Sequence, residues 1–291
     1  MISIIGILIV LGSIVGGYLM EHGKLLVLFQ PAELVIIFGA AVGTLVVANP
    51  LPTLIQIGKG LMGVLAGSPY TKAFYSDNLK MMYELYTYVR KQGTAKLEED
   101  VDNPSKSPVF SKYPMFMKSH HALHFFCDTL RTAVSGGVEP MDIDQMMEVD
   151  LEVHHREASE PIAALSTMAD ALPGLGIVAA VLGVVITMGA LGGPKEEIGH
   201  RVAAALVGTF LGILLCYGIF SPLASAMGKQ NDAEANYFGF LRMCALAFVK
   251  GLSPMIAVEL ARRSIPTGVR PTFQEMEAAC RGGGKTASKA A

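Results

Sequence analysis

Two apolar runs, Leu172 to Leu191 and Val202 to Phe220, stand out from the polar stretches on either side. Each is long enough to cross a bilayer's ~30 Å hydrocarbon core as one helix, which takes about 20 residues. Neither contains Asp, Glu, Lys, Arg or His. Two more runs, Ile2 to Met20 and Leu34 to Ala48, bring the expected spans to four. Gln30-Pro31-Ala32-Glu33 opens the second. Proline lacks a donor that would be orphaned in a first helical turn, and a carboxylate there faces the positive end of the dipole. Asn49-Pro50 ends that span, Pro173 opens the third and Pro222 closes the fourth.

Small residues stripe the last two spans at alternating spacings of four and three. In the third the stripe is Gly176, Ala180, Gly183, Thr187 and Ala190; in the fourth it is Ala205, Thr209, Gly212 and Cys216. Such residues share one helix face, and their size lets another helix backbone approach closely. Packing within one subunit would use them in the same way, but two matching stripes on neighbouring spans point to a surface between subunits.

Between the two pairs of spans the pattern turns helical and polar. Tyr75, Leu79, Met82, Tyr86 and Val89 repeat as one buried face of a helix, which Gly93 can stop in a left-handed conformation. A charged run, Lys96 to Asp102, leads to the Asn103-Pro104 turn, and a second helical region covers about Ser111 to Val134. A third begins at Pro140 and is expected to run through Ala169 into the third span as one rod. After Lys250 a short helix is predicted near Met255 to Arg263, with disorder from Gly282 onward. The resulting fold class is all-α, an integral membrane protein of four transmembrane helices with a large helical cytoplasmic insert. The expected parts are 1–50 with the first two spans, 51–169 as the insert, 170–222 as a channel-lining hairpin, and 223–291 as a cytoplasmic tail.

Composition agrees: of 291 residues, 52% are hydrophobic and only 16% charged, against about 25% charged in soluble chains. A net charge of -2 argues against nucleic acid binding. Basic residues decide orientation narrowly, with Lys24, Lys195 and Arg201 on the short loops against Lys59, Arg156, Lys229 and Arg242 near the spans on the other side. Cys127, Cys216, Cys244 and Cys280 show no ligand or disulfide spacing, which suits a reducing, cytoplasmic side for the insert.

The candidate chemistry is defined partly by what is missing. An ion pathway normally keeps an ionisable residue in the membrane, since a charge there costs roughly 2.5–3.5 kcal/mol on insertion scales. The four runs hold none, so the titrating acid of any proton path is expected to come from a partner helix. Thr187 and Thr209 can offer hydroxyls beside it, although a lone intramembrane threonine usually bonds back to its own helix. Asp170, at the entry to the third span, is a candidate proton exit or merely a solvated helix end. His120, His121 and His124 fall about one turn apart but lack a further ligand. With no phosphate loop, no nucleophile elbow and no intramembrane acidic pair, no enzyme, cofactor or metal is expected.

Several segments resemble the MotA family of bacterial flagellar motor stator subunits. They are Tyr18-Leu19-Met20, Gln30 to Ile37, Leu172 to Val181, Val207 to Leu215, Ser221 to Ala224, and Arg270-Pro271-Thr272-Phe273. The resemblance implies an inner-membrane ion channel that turns the flagellum, built as a homo-oligomeric ring around the single-span partner MotB, whose aspartate binds the proton. It implies that Arg90 and Glu98 engage the rotor protein FliG, that Pro173 and Pro222 couple ion passage to shape change, and that Ala180 and Thr209 face the channel; Thr187 joins them as a channel-facing candidate by its place on the stripe. Sodium-driven relatives usually carry a hydroxyl where Ala180 stands, so the coupling ion is expected to be the proton. The alternative is an energiser of outer-membrane transport like ExbB or TolQ, and four spans favour the motor branch.

Overall fold

The computed structural model describes residues 2–189, 192 and 194–282, and no strand occurs among them. The helices are α1 (Ile2–Met20), α2 (Leu25–Leu28), α3 (Pro31–Ala48), α4 (Leu51–Ala66), α5 (Lys72–Gln92), α6 (Thr94–Asp102) and α7 (Pro114–Lys118). They continue as α8 (His120–Val134), α9 (Pro140–Met188), α10 (Lys195–Ile213), α11 (Ser221–Val249), α12 (Pro254–Ser264) and α13 (Phe273–Cys280). A π-helical segment, Leu214–Phe220, joins α10 to α11. Four helical stretches are long and apolar enough to cross a membrane: Ile2–Met20, Leu25–Ala48, and one each within Pro140–Met188 and Glu197–Val249. The chain is therefore all-α with four candidate spans, as its hydrophobic pattern predicts. Ala190, Leu191 and the glycine-rich end from 283 lie outside the described residues.

Two compact units divide the chain. One comprises Met1–Ser68 and Arg156–Asn231; the other comprises Pro69–His155 and Asp232–Ala291. The long helices α9 and α11 contribute residues to both.

The first unit holds the spans. Its interior is thin: Ile37, Ala41, Leu165, Leu172, Ala179 and Cys216 are buried, while Ile177, Val178, Val181, Val185 and Ile186 stand at least half exposed. That inversion suits lipid, which is as apolar as the side chains and gives no reason to hide them. Gln230 Nε2 donates to the Gly63 carbonyl at 3.0 Å and fastens α11 to α4. Asn231 Nδ2 donates to Ser159 Oγ at 3.2 Å.

The second unit has a dense aromatic core. Tyr75, Leu79, Met82, Tyr86 and Val89, the periodic face of α5, are all buried in it. Thr71 caps α5 by accepting from Phe74 N, and Gly93 ends it at φ 87°, where a side chain would be strained. Buried hydroxyls find partners: Tyr86 Oη donates to the Cys244 carbonyl at 2.9 Å, and Tyr237 Oη to Asn78 Oδ1 at 2.8 Å. Burial pushes both phenols well above their ordinary range. The Arg270-Pro271-Thr272-Phe273 motif secures the turn between α12 and α13. Arg270 donates to the Ile265 and Arg263 carbonyls, Arg262 to the Pro271 carbonyl, and Thr272 forms a capping box with Glu275 that starts α13.

Several local expectations change. The charged run Lys96 to Asp102 is the body of α6, because Leu97 and Val101, four apart, are both buried. The region from Ser111 to Val134 breaks at Ser119 into α7 and α8. Pro222 does not end the helix that carries the fourth span, which runs on as α11. Proline lacks an N–H and its ring crowds the carbonyl four residues back. The preceding π segment absorbs this, with Ser221 N donating five residues back to Cys216. Pro173 likewise lies inside α9, which spans 49 residues and also contains Pro161.

Candidate functional site

The glycines of α9 and α10 set how closely these helices approach. A methyl group at Gly212 would come 2.6 Å from the Leu172 carbonyl oxygen and 3.0 Å from Gly176 Cα. One at Gly176 would come 2.8 Å from the Gly208 carbonyl, and one at Gly183 would come 2.7 Å from Ala205 Cβ. The two small-residue stripes thus meet each other within this chain. This corrects the expectation that they mark a surface between subunits: Gly176, Gly183, Ala205 and Gly212 have their partner already.

The same groove holds an acid that the hydrophobic pattern had placed outside the spans. Glu33, in the first turn of α3, lies within the candidate span Leu25–Ala48 and is buried at 8% exposure. A methyl at Gly208 would meet its Oε2 at 2.6 Å, and one at Gly183 would lie 3.6 Å from its Oε1. Oε2 has no hydrogen-bond partner. The expectation that the spans carry no ionisable residue is therefore wrong. A signal was present in the sequence: Leu34 to Ala48 is too short to span alone, so the helix had to start before Leu34 and carry Glu33 in with it.

Ala180 and Thr209 are half-buried beside these contacts. Ala180 N lies 3.3 Å from a methyl placed on Gly208, and Thr209 Cα lies 3.3 Å from one placed on Gly176. Thr187 is buried, and its Oγ1 donates to the Gly183 carbonyl at 2.8 Å. Its single proton is thus spent on its own helix, which leaves only acceptor capacity. Pro173 is half-buried and Pro222 exposed. Asp170 is exposed and sits in the body of α9, not at a helix end.

In the second unit Arg90 closes the last turn of α5 and Glu98 lies in α6, on either side of the Gly93 break. Both are exposed, and neither pairs with a described residue. Their neighbours do pair: Lys96 with Glu99, and Arg131 with Asp102 at 2.9 Å. Asp100, beneath them, is buried, and that burial raises its carboxyl above the ordinary range. His120, His121 and His124 stand exposed on α8 over a cleft of about 350 Å³ shared with Asp150 and His154 of α9. Among the described residues no three His, Cys, Asp or Glu side chains gather closely enough to hold a metal ion.

Four apolar candidate spans, a tight glycine-lined helix pair and a separate polar helical unit define a multi-pass membrane protein. Residues 118–239 match the MotA/TolQ/ExbB proton channel family, and residues 4–93 match the motility protein A N-terminal family. Motility protein A of Escherichia coli (strain K12) is 40% identical over 284 residues, covering 95% of this chain and 94% of that protein. Chemotaxis protein LafT of Vibrio parahaemolyticus is 34% identical, covering 94% and 96%. This chain belongs to the motility protein A family. The fold is also that of a chain in each of two solved MotAB structures. A chain of C. jejuni MotAB matches at TM-score 0.74 with 18% identity, covering 91% of this chain and 95% of its own. One from the flagellar MotAB stator complex of Bacillus subtilis matches at 0.71 with 21% identity, covering 88% and 92%.

Proposed function

We propose that this chain is a flagellar stator subunit that forms a proton channel with a MotB-type partner and converts proton flow into torque on the rotor. The identity to motility protein A over nearly the full chain carries this reading. The match at residues 4–93 favours the motor branch over an ExbB- or TolQ-like energiser. Several copies ring the partner in the inner membrane, with the polar unit in the cytoplasm. The partner supplies the main titrating acid, which passes beside Ala180 and Thr209. The proton is the coupling ion, each one yielding ~2.3 kcal/mol per 100 mV crossed. Pro173 and Pro222, each interrupting a helical ladder, are the compliant points, and Asp170 is the proton's exit. Arg90 and Glu98, exposed and unpaired, meet opposite charges on FliG without the cost of full burial. No cofactor takes part.

Deleting the gene should leave cells that build flagella and do not turn them; normal swimming would refute the proposal. Reversing Arg90 and Glu98 should impair motility, with relief by matching charge changes on FliG. Impaired nutrient uptake with intact swimming would point instead to the energiser.

A further inference from the structure

The partner's acid is not the whole of the proton chemistry suggested by this membrane unit. Glu33 is buried with an unpartnered Oε2, and the two residues that leave room for its carboxyl are glycines on two different helices. Gly208 lies six residues beyond Val202, where the apolar run of α10 begins (208 − 202), which is about 9 Å along a helix. The carboxyl is thus set into the bilayer core from the end that carries the short loops. An ionisable group at that depth is expensive, and such residues are kept where they serve a substrate or ion path. The groove that holds it also runs past Ala180 and Thr209: the Gly208 position that meets Oε2 is in contact with Ala179 Cβ at 3.2 Å and Ala180 N at 3.3 Å.

We propose that Glu33 is a second proton-exchanging group, which takes up a proton from the short-loop side and hands it on toward the partner's acid. This deepens the proposed function and depends on it. The step is a simple exchange. Oε2 of the carboxylate binds one proton to give the neutral acid, and the same O–H bond breaks when the proton leaves to water or to the partner's carboxylate. No electron changes hands. The glycines serve the exchange by letting the carboxyl lie close against α9 and α10, in a place that a methyl at Gly208 would take from Oε2.

The test uses the assembled complex, this chain with its single-span partner, reconstituted in vesicles with a pH gradient. Proton uptake is read per complex recovered, so a folding defect is not scored as lost conduction. E33Q keeps the shape and removes the titration; E33D keeps the titration and shortens the reach. Uptake in E33Q should fall by at least about tenfold while E33D stays within about threefold of the unaltered chain, given the size of positioned proton-transfer effects. A structural filler predicts the reverse order. Uptake in E33Q within about twofold of the unaltered chain would overturn the inference, as would E33D falling to the level of E33Q. An unaltered complex that passes no protons would overturn the proposed function itself.

Discussion

The close backbone approach of α9 and α10 at Gly212 gives a test with a calculable size. Substituting Gly212→Ala places a methyl 2.6 Å from the Leu172 carbonyl oxygen and 3.0 Å from Gly176 Cα. Ordinary contact begins near 3.4 Å, so the helices must part by about 0.8 Å at that point. Neither obstacle is a side-chain end that could swing away; both are backbone. Overpacking of this kind costs about 1–3 kcal/mol, and dispersion along the rest of the α9–α10 seam weakens as the gap opens. Gly228→Ala in α11 is the control, because nothing lies within 4 Å of its methyl and alanine is the better helix former by about 1 kcal/mol. In thermal melts of detergent-solubilised protein, Gly212→Ala should lower the midpoint by roughly 2–10 °C. Gly228→Ala should hold or raise it. Equal midpoints for the two variants would refute the claim that these glycines are spacers for a tight helix pair.

Two further outcomes concern the polar unit. Arg262 and Arg263 both donate to Glu259, at 2.6 to 2.9 Å, and the Arg262 hydrogen bonds lead in pulling its carboxyl from 4.5 down to about 2. A lowered folded-state value stabilises the fold fully above pH ~4.5, and that contribution disappears as pH falls through about 2. The stability gap between the unaltered chain and E259Q should therefore be at most about 3 kcal/mol at neutral pH and close toward pH 2; a gap that ignores pH would refute it. Burial pushes the Cys127 and Cys280 thiols up to about 12 and about 11. In mass spectra, iodoacetamide at pH 8 should label neither in the folded chain and both after denaturation; prompt labelling of the folded protein would contradict their burial.

What could be read from the residues follows where physical signals are local. The buried face of α5, its stop at Gly93 and the start of α9 at Pro140 each depend on neighbours a few positions away, and each is legible. So is α1, found over the same Ile2 to Met20 as its apolar run. The eight-residue α13 went unread although Thr272 and Glu275 spell a capping box, because so short a helix shows little hydrophobic period. The stripes announced a close approach without saying which helix would make it, since a glycine face suits its own neighbour and another subunit equally. Glu33 was harder still. One carboxylate beside Pro31 satisfies the rule for a helix start, and only the span's inadequate length showed that it had to enter the membrane. Arg90 and Glu98 are ordinary surface charges by any local measure, so family resemblance alone singles them out.

The seven π-helical residues before Pro222 amount to a spare position in the chain. A wider turn accommodates one residue more than an α-helix would over the same rise, so removing a single residue between 214 and 220 could be absorbed by tightening the coil. The same deletion in the middle of α10 or α11 would swing every later side chain by about 100° around the axis and scramble the faces beyond it. Length variation among natural and engineered versions of this segment should therefore gather there, in steps of one.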